Sequence, residues 1–254
     1  APAKAGIKGA EINLNDLING AGEEILGKDM AEQFNRQLPY LLKVLAAGKM
    51  LSIQAHPNKE QAQEGFAREN TKRISLKASN RNYKDQNHKP EIIAALTDFY
   101  ALNGFRPLEE IAGLLEDIEG FHDIMPDFRQ KLAASGKNEA SQKDLIKALY
   151  TIIMSMSQER VDSILNPLIN GLAKQSFTKD DREFWVLKAD KEYTKDGHID
   201  RGIFSIYLLN LIHLRYGEAM YLGAGELHAY LEGVGMECMA GSDNVLRGGL
   251  TPKH

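Results

Sequence analysis

Only one cysteine, Cys238, occurs among 254 residues. An internal disulfide is therefore excluded, and a reducing, cytoplasmic compartment is expected. Long apolar runs are also missing. The longest, Ile203 to Leu214, is broken by Ser205, Asn210 and His213, short of the roughly 18 consecutive apolar residues of a membrane helix. Neither sign of charge is in excess: 31 Lys and Arg stand against 35 Asp and Glu, a net charge of −4, with an isoelectric point near 6.0. That argues against a nucleic-acid partner, which selects a basic face. Internal repeats and low-complexity tracts are absent. The opening Ala1-Pro-Ala-Lys4 has neither a signal-peptide architecture nor an initiating Met. Leu250-Thr-Pro-Lys-His254 stops just after a strand-like segment. Both ends read as cuts within a longer protein, or as processing.

What is present is ordinary for a globular chain: 43% apolar and 26% charged residues, enough length for one large domain or two smaller ones. Residues 14–36 carry helical spacing in Leu14, Leu17, Ile18, Ile25, Leu26, Met30 and Phe34. Asn15 or Asp16 is a candidate cap. Tyr40 to Ala55 reads as two strands about a turn at Gly48-Lys49. Asn58 to Asn70 has a helical look, residues 71–90 a long polar loop, and Glu91 to Phe105 a strand. Between Pro107 and Trp185 four runs with 3.6-residue periodicity predict an inserted all-helical subdomain. Residues 186–200 read as a polar bridge. From Ile203 onward, short strands and turns return. The expected divisions are 1–106, 107–185 and 186–254, with the two β-rich flanks pairing as one domain so that neither leaves open edges. The fold class is α+β, a β-sandwich or small barrel carrying a helical insertion.

Candidate chemistry clusters in the flanks. Gln54 and His56 are two apart in an apparent strand and share a face. His88-Lys-Pro-Glu91 opens the next strand, and His228 follows the Gly223-Ala-Gly225 turn. His, Glu and an amide oxygen suit a borderline divalent ion, most simply Zn²⁺. The competing reading is a hydrogen-bonded histidine at a strand end. Lys43 and Arg247 lie inside apolar strands, where a cation is costly unless it is paired or faces a cleft; an edge position with the head in water explains each as well. His122, His198 and His213 have no evident partner, and Cys238 reads as packed rather than nucleophilic.

Four ordered blocks carry a resemblance: Leu51-Ser-Ile-Gln-Ala-His-Pro-Asn-Lys59, Tyr83-Lys-Asp-Gln-Asn-His-Lys-Pro-Glu91, Leu227-His-Ala-Tyr-Leu231 and Gly241-Ser-Asp-Asn-Val-Leu-Arg-Gly-Gly-Leu-Thr-Pro-Lys253. Ala101-Leu-Asn-Gly-Phe-Arg-Pro107 is a fifth. Together they resemble type I mannose-6-phosphate isomerases (phosphomannose isomerases). The resemblance implies a cupin-like β-sandwich or jelly roll with a helical insertion, and a zinc-dependent aldose–ketose isomerase of the cytoplasm serving GDP-mannose biosynthesis. It implies one Zn²⁺ per chain, held by Gln54, His56, Glu91 and His228. It also implies catalytic roles for Arg247, Lys89, Asp243 and His88, and substrate contacts from Ser52, Lys43 and Lys253. Glu237, on an alternating strand, is a further substrate-side candidate and a rival base. The implied partner is a sugar phosphate, with no nucleic acid, membrane or obligatory protein partner. The family carries further strands before the position of Ala1 and a further β domain after His254. An open barrel edge is therefore expected, with Val245, Leu246 and Leu250 exposed.

These residue types suit the implied reaction. Moving a proton between C1 and C2 of an opened sugar needs a base and a cation to hold the enediolate charge. Three neutral ligands and one carboxylate leave a divalent ion about one net positive charge. Arg247, Lys43 and the Ser52 hydroxyl would meet a phosphate. Other readings are a non-catalytic metal or sugar-phosphate binding protein, a metal-dependent oxygenase on the same scaffold, and a helical partner-binding protein. The basic residues around the proposed ion count against the first, metal identity separates the second, and the third leaves the β-segment motifs unexplained.

Overall fold

A computed structural model describes residues 3–7 and 9–251; Lys253 lies outside them. In chain order the elements are β1 (Lys4–Ile7), β2 (Ala10–Asn13), α1 (Leu14–Leu26), α2 (Lys28–Gln33), β3 (Tyr40–Ala47), β4 (Ile53–Ala55), α3 (Lys59–Thr71), β5 (Glu91–Ala95), β6 (Phe99–Phe105) and α4 (Leu108–Asp117). Then follow α5 (Phe128–Ser135), α6 (Glu139–Ser155), α7 (Gln158–Leu172), α8 (Arg182–Tyr193), α9 (Ile203–Leu208), β7 (Leu209–Leu214), β8 (Ala219–Leu222), β9 (His228–Ala240) and β10 (Leu246–Gly249). β1 and β2 form a separate hairpin.

The remaining strands are antiparallel and hinge on β9. Its first half, His228 to Glu232, pairs with β4 and β6. These continue to β10 and β7, so one sheet runs β10–β4–β9–β6–β7. Its second half, Gly233 to Ala240, pairs with β3 and β5, and the other sheet runs β3–β9–β5–β8. The strand changes sheets at Gly233, where φ is +127°. A Cβ there would lie 2.6 Å from the Asp98 carbonyl oxygen and 2.8 Å from Phe99 Cα, so the corner requires glycine.

Two cores follow from the alternation of side chains. Ala47, Ile93, Ala95, Met220 and Leu222 of one sheet meet Phe99, Ala101, Leu214 and Tyr230 of the other. The opposite face of the β9–β6 sheet, with Ile53, Leu102, Ala229 and Leu231, packs under the helices against Ile111, Leu149, Leu165 and Trp185. The layers are therefore helices, sheet, sheet. Among the described residues nothing covers the outer face of the β3–β9–β5–β8 sheet, which they leave bare. Its central row is Leu42, Cys238, Ile92 and Tyr221; Leu42 is 55% exposed and Tyr221 63%.

The architecture is the α+β sandwich with helical insertion, and strands from both sides of the helices interleave in it. Several local readings change. Ile203 to Leu208 is a helix, not a strand. All six residues are buried, and a run apolar on every side carries no periodicity to separate the two. Residues 186–193 continue α8 rather than bridging; its buried stripe is only Trp185, Val186 and Ala189 among charges. Glu91 to Phe105 is two strands, β5 and β6, which part at Leu96–Asp98 into different sheets. Within the region expected to hold short strands and turns, His228–Ala240 is one 13-residue strand. Leu246 is exposed as expected, but Leu250 is buried, its N–H bonded to Asp200 Oδ1 at 3.0 Å. Among the described residues β10 is an edge strand, paired only with β4, and β3 is another, paired only with β9. His213 and His198 have partners: His213 Nε2 is 3.0 Å from Asp98 Oδ1, and His198 Nδ1 is 2.8 Å from Asp162 Oδ2. Cys238 is half-buried on the bare face.

Candidate metal centre and active site

β4 ends where α3 begins, and a capping box sets that junction. Asn58 Oδ1 accepts from the Gln61 N–H at 2.8 Å, and Gln61 Oε1 accepts from the Asn58 N–H at 3.0 Å. His56 is thereby placed at the end of β4, two residues before the cap. The loop from α3 to β5 is pinned by buried Arg81. Its Nη1 donates to the Ile74 carbonyl at 2.7 Å and its Nη2 to Asn70 Oδ1 at 2.8 Å. Its Nε lies 2.9 Å from buried Glu69. Tyr83 then lies on α3 so closely that a Cβ at Gly65 would be 2.4 Å from its ring. The loop so anchored delivers Lys89 and Glu91 to β5.

His56, Glu91 and His228 converge. All three are buried, and one ligand atom from each lies within 4.8 Å of the others. His56 Nε2 is 3.2 Å from Glu91 Oε1, and His228 Nε2 is 3.7 Å from Glu91 Oε2. Each imidazole turns its Nδ1 to a backbone carbonyl: Asn244 at 2.8 Å for His56 and Glu226 at 3.0 Å for His228. A carbonyl only accepts, so Nδ1 carries the proton and Nε2 presents a lone pair. Both Nε2 atoms and Glu91 Oε2 are buried without a hydrogen bond. Orphaned acceptors of this kind are rare, and three aimed at one point fit a cation. Burial depresses the basicity of His228, which keeps it neutral. Burial alone would raise the Glu91 pKa, but it is lowered to about 2, the Lys89 ammonium acting against burial; Lys89 Nζ is 3.0 Å from Oε1. Two neutral imidazoles and one carboxylate are a donor set suited to a divalent ion with residual positive charge.

Gln54 lies directly across β4–β9 from His228 and across β4–β10 from Arg247. Opposed residues of an antiparallel pair share a face, so Gln54 and Arg247 point to the same side as His228. The other expected residues scatter about this centre. Lys89 is buried beside it, whereas His88, Asp243 and Arg247 are exposed and Ser52 is half-buried. Lys43 Nζ is 2.6 Å from Glu237 Oε2 on the inner face of its sheet, and Glu237 is buried.

Three residues were missed by sequence reasoning. Tyr230 donates its hydroxyl to Glu237 Oε1 at 3.0 Å, so that His228, Tyr230, Glu237 and Lys43 lead from the ligand cluster outward. Burial pushes the Tyr230 hydroxyl pKa well up, leaving it a donor. Same-face parity with His228, two residues away, was the available signal. Buried Asn244 and half-buried Asp85 form a network beside His56, and nothing in their spacing announces it.

Residues 2–108 match the family model of the phosphomannose isomerase type I catalytic domain. Over 244 residues the chain is 41% identical to mannose-6-phosphate isomerase of Escherichia coli K12, covering 96% of this chain and 58% of that protein. It is 39% identical to the Mus musculus enzyme over 233 residues, covering 91% and 52%. The fold superposes on a zinc-bound mannose 6-phosphate isomerase crystal structure with TM-score 0.83 at 38% identity, covering all of this chain and 60% of that one. A Salmonella typhimurium phosphomannose isomerase mutant superposes at 0.84. The chain is thus similar to type I phosphomannose isomerases, over residues 2–108 by the family model and over nearly its whole length by these relatives. It spans between about half and three-fifths of the length of these relatives. The convergent His56–Glu91–His228 cluster is the feature to interpret, and no helix among the described residues is long and apolar enough to cross a membrane.

Proposed function

We propose that this chain carries the zinc site and sugar-phosphate site of a cytoplasmic mannose-6-phosphate isomerase, interconverting mannose 6-phosphate and fructose 6-phosphate. The observation that carries this reading is the convergence of His56, Glu91 and His228 with their unpaired ligand atoms buried. Gln54, on the same face as His228, completes the proposed ligand set. When bound, Zn²⁺ supplies Lewis-acid stabilisation of sugar oxygens.

The chain's own residues do the rest. The carbonyls of Asn244 and Glu226 hold both imidazoles in the ligating tautomer. Arg247, Lys43 and Ser52 are assigned to the phosphate, with Arg247 offering a bidentate fork, and Lys253 to the substrate. The proton moves between C1 and C2 through a cis-enediolate, taken from one carbon and returned to the other by one base, Lys89 in its neutral form or its rival Glu237, with ring opening or proton relay given to Asp243 or His88. Unlike Asp243 and His88, Lys89 is buried beside the cluster; if Glu237 is the base, the Lys89 ammonium instead offsets charge at the enediolate oxygen. Glu237, held by Tyr230 and Lys43, closes the substrate side.

Metal analysis and a coupled isomerase assay on this chain test the reading. About one zinc per chain, lost in His228→Ala, together with fructose 6-phosphate turnover, is the expected result. Zinc and sugar-phosphate binding without turnover would favour the binding-protein alternative, and redox-active iron would favour an oxygenase.

A further inference from the structure

Three segments of the site come from distant parts of the chain, and one side chain with no assigned chemistry joins them. Asn244 is fully buried. Its Oδ1 accepts from the N–H groups of Lys84 at 2.7 Å and Asp85 at 3.2 Å. Its Nδ2 donates to the carbonyls of Asp85 and Asn87, both at 2.9 Å, and to Asp85 Oδ1 at 3.2 Å. Both ends of the amide are thus saturated. The Asp85 carboxylate extends the clasp: it accepts from the Ser242 hydroxyl at 2.9 Å and from the Asp243 N–H at 2.8 Å. The Ser242 hydroxyl oxygen in turn accepts from the Asn244 N–H at 3.2 Å.

The clasp joins the loop at residues 84–87, which leads into Lys89 and Glu91, to the turn at residues 242–244, which leads into Arg247. The same turn presents the Asn244 carbonyl to His56 Nδ1. His228 needs no such device, because its carbonyl partner, Glu226, is two residues away in sequence. The partner of His56 is 188 residues away. Its position therefore depends on whatever ties the turn to the loop.

We propose that Asn244 is a positioning residue: by clamping the 84–87 loop to the 242–244 turn it holds the carbonyl that fixes the His56 tautomer and sets the spacing of His56 from Glu91. The inference rests on the metal-site reading above. A polar clasp that is fully satisfied specifies one arrangement, and truncating it leaves several buried groups unpaired.

The test uses zinc affinity, measured by competition with a chromophoric chelator, and the solvent exchange of the two imidazole Nδ1–H groups in ¹H–¹⁵N spectra of the zinc-loaded chain. Asn244→Ala is expected to weaken zinc binding about 10- to 100-fold and to speed exchange at His56 while leaving His228 unchanged. Ser242→Ala, which removes one hydroxyl and leaves the Asn244 amide, is expected to weaken binding in the same direction by about fivefold or less. Unchanged affinity in Asn244→Ala overturns the proposal. So does loss of protection at both histidines together, which would mark general loosening. If Asn244→Ala does not fold, Ser242→Ala decides: unaltered zinc affinity with unaltered His56 exchange overturns the proposal. An unsubstituted chain that binds no zinc would instead overturn the metal reading on which it rests.

Discussion

The two halves of β9 obey the same alternation and end in opposite surroundings. In the first half, Ala229 and Leu231 point outward from the sandwich and are buried beneath the helical layer. Glu232 is tied to that layer by Lys179 and Lys188 on either oxygen. In the second half, Met236 and Cys238 point outward beside Leu42, Val44 and Ile92, and no described element covers them. The inner faces are alike in both halves and hold the chemistry: His228 and Tyr230 in one, Glu237 and Met239 in the other. An alternating strand states which side chains share a face. It does not state whether the outward face meets water or another layer. The ligand cluster depends only on the inner faces and on the corner at Gly233, so it is complete where the outer surface is not.

The largest expected effect is a difference in core cost between the two sides. Trp185, fully buried in the helical layer, is expected to cost about 3–5 kcal/mol on substitution by alanine. Val44, 61% exposed on the bare face, is expected to cost within about 0.5 kcal/mol on the same change. Urea unfolding monitored by circular dichroism reads both. A Val44→Ala cost approaching that of Trp185→Ala would show that the bare face is covered in solution, and the contrast would dissolve.

The corner itself comes next. Gly233→Ala places a methyl 2.6 Å from the Asp98 carbonyl oxygen at a φ of +127°. The expected loss is about 1–3 kcal/mol, with zinc affinity reduced as well, because the corner sets Glu91 of one sheet against His228 of the other. Retained stability with retained affinity would show that the two halves do not need this corner to stay in register.

Legibility in the sequence followed the same division. The helices from Leu108 to Leu172 were readable because each buries one stripe and exposes the rest, which leaves a 3.6-residue period. The strands were readable where turns bounded them. Ile203 to Leu208 was not readable, being buried all round; nor was α8 past Trp185, whose stripe is too narrow among charges. At the site, parity put Gln54 on the face of the ligand cluster, but convergence of His56 with Glu91 and His228 came only through the family's motifs. Contacts between residues 35 to 172 positions apart leave no local periodic trace. Asn244 and Asp85 were invisible for the same reason, since their hydrogen bonds run to backbone groups whose identity no side chain records.

The smallest expected effect tests whether the helical side is also tied by charge away from β9. His198 Nδ1 meets Asp162 Oδ2 at the start of the return to the sheet, and Asp162 Oδ1 accepts the Ile199 N–H at 2.9 Å. Burial would raise the Asp162 pKa, but the bonds from His198, the Ile199 N–H and Gln158 outweigh it and lower it from 3.8. The Asp162 carboxylate, in turn, raises His198 from 6.5. The signs then fix a window. The His198 contribution to stability is complete below 6.5 and is lost as pH rises through the raised value. The Asp162 contribution is complete above 3.8 and is lost as pH falls through the lowered one. The tie is therefore whole between those two ordinary values and weakens on both sides. Because His198 is exposed, added salt should shrink the effect, and it is better read from the histidine than from a melting curve. In an NMR titration the His198 midpoint is expected above 6.5 in the unsubstituted chain and back near the ordinary histidine value, about 6.5, in Asp162→Asn. If the midpoint stays where it was after that substitution, Asp162 is not the group that raises it, and the ion pair contributes nothing to holding the helical layer where the chain re-enters the sheet.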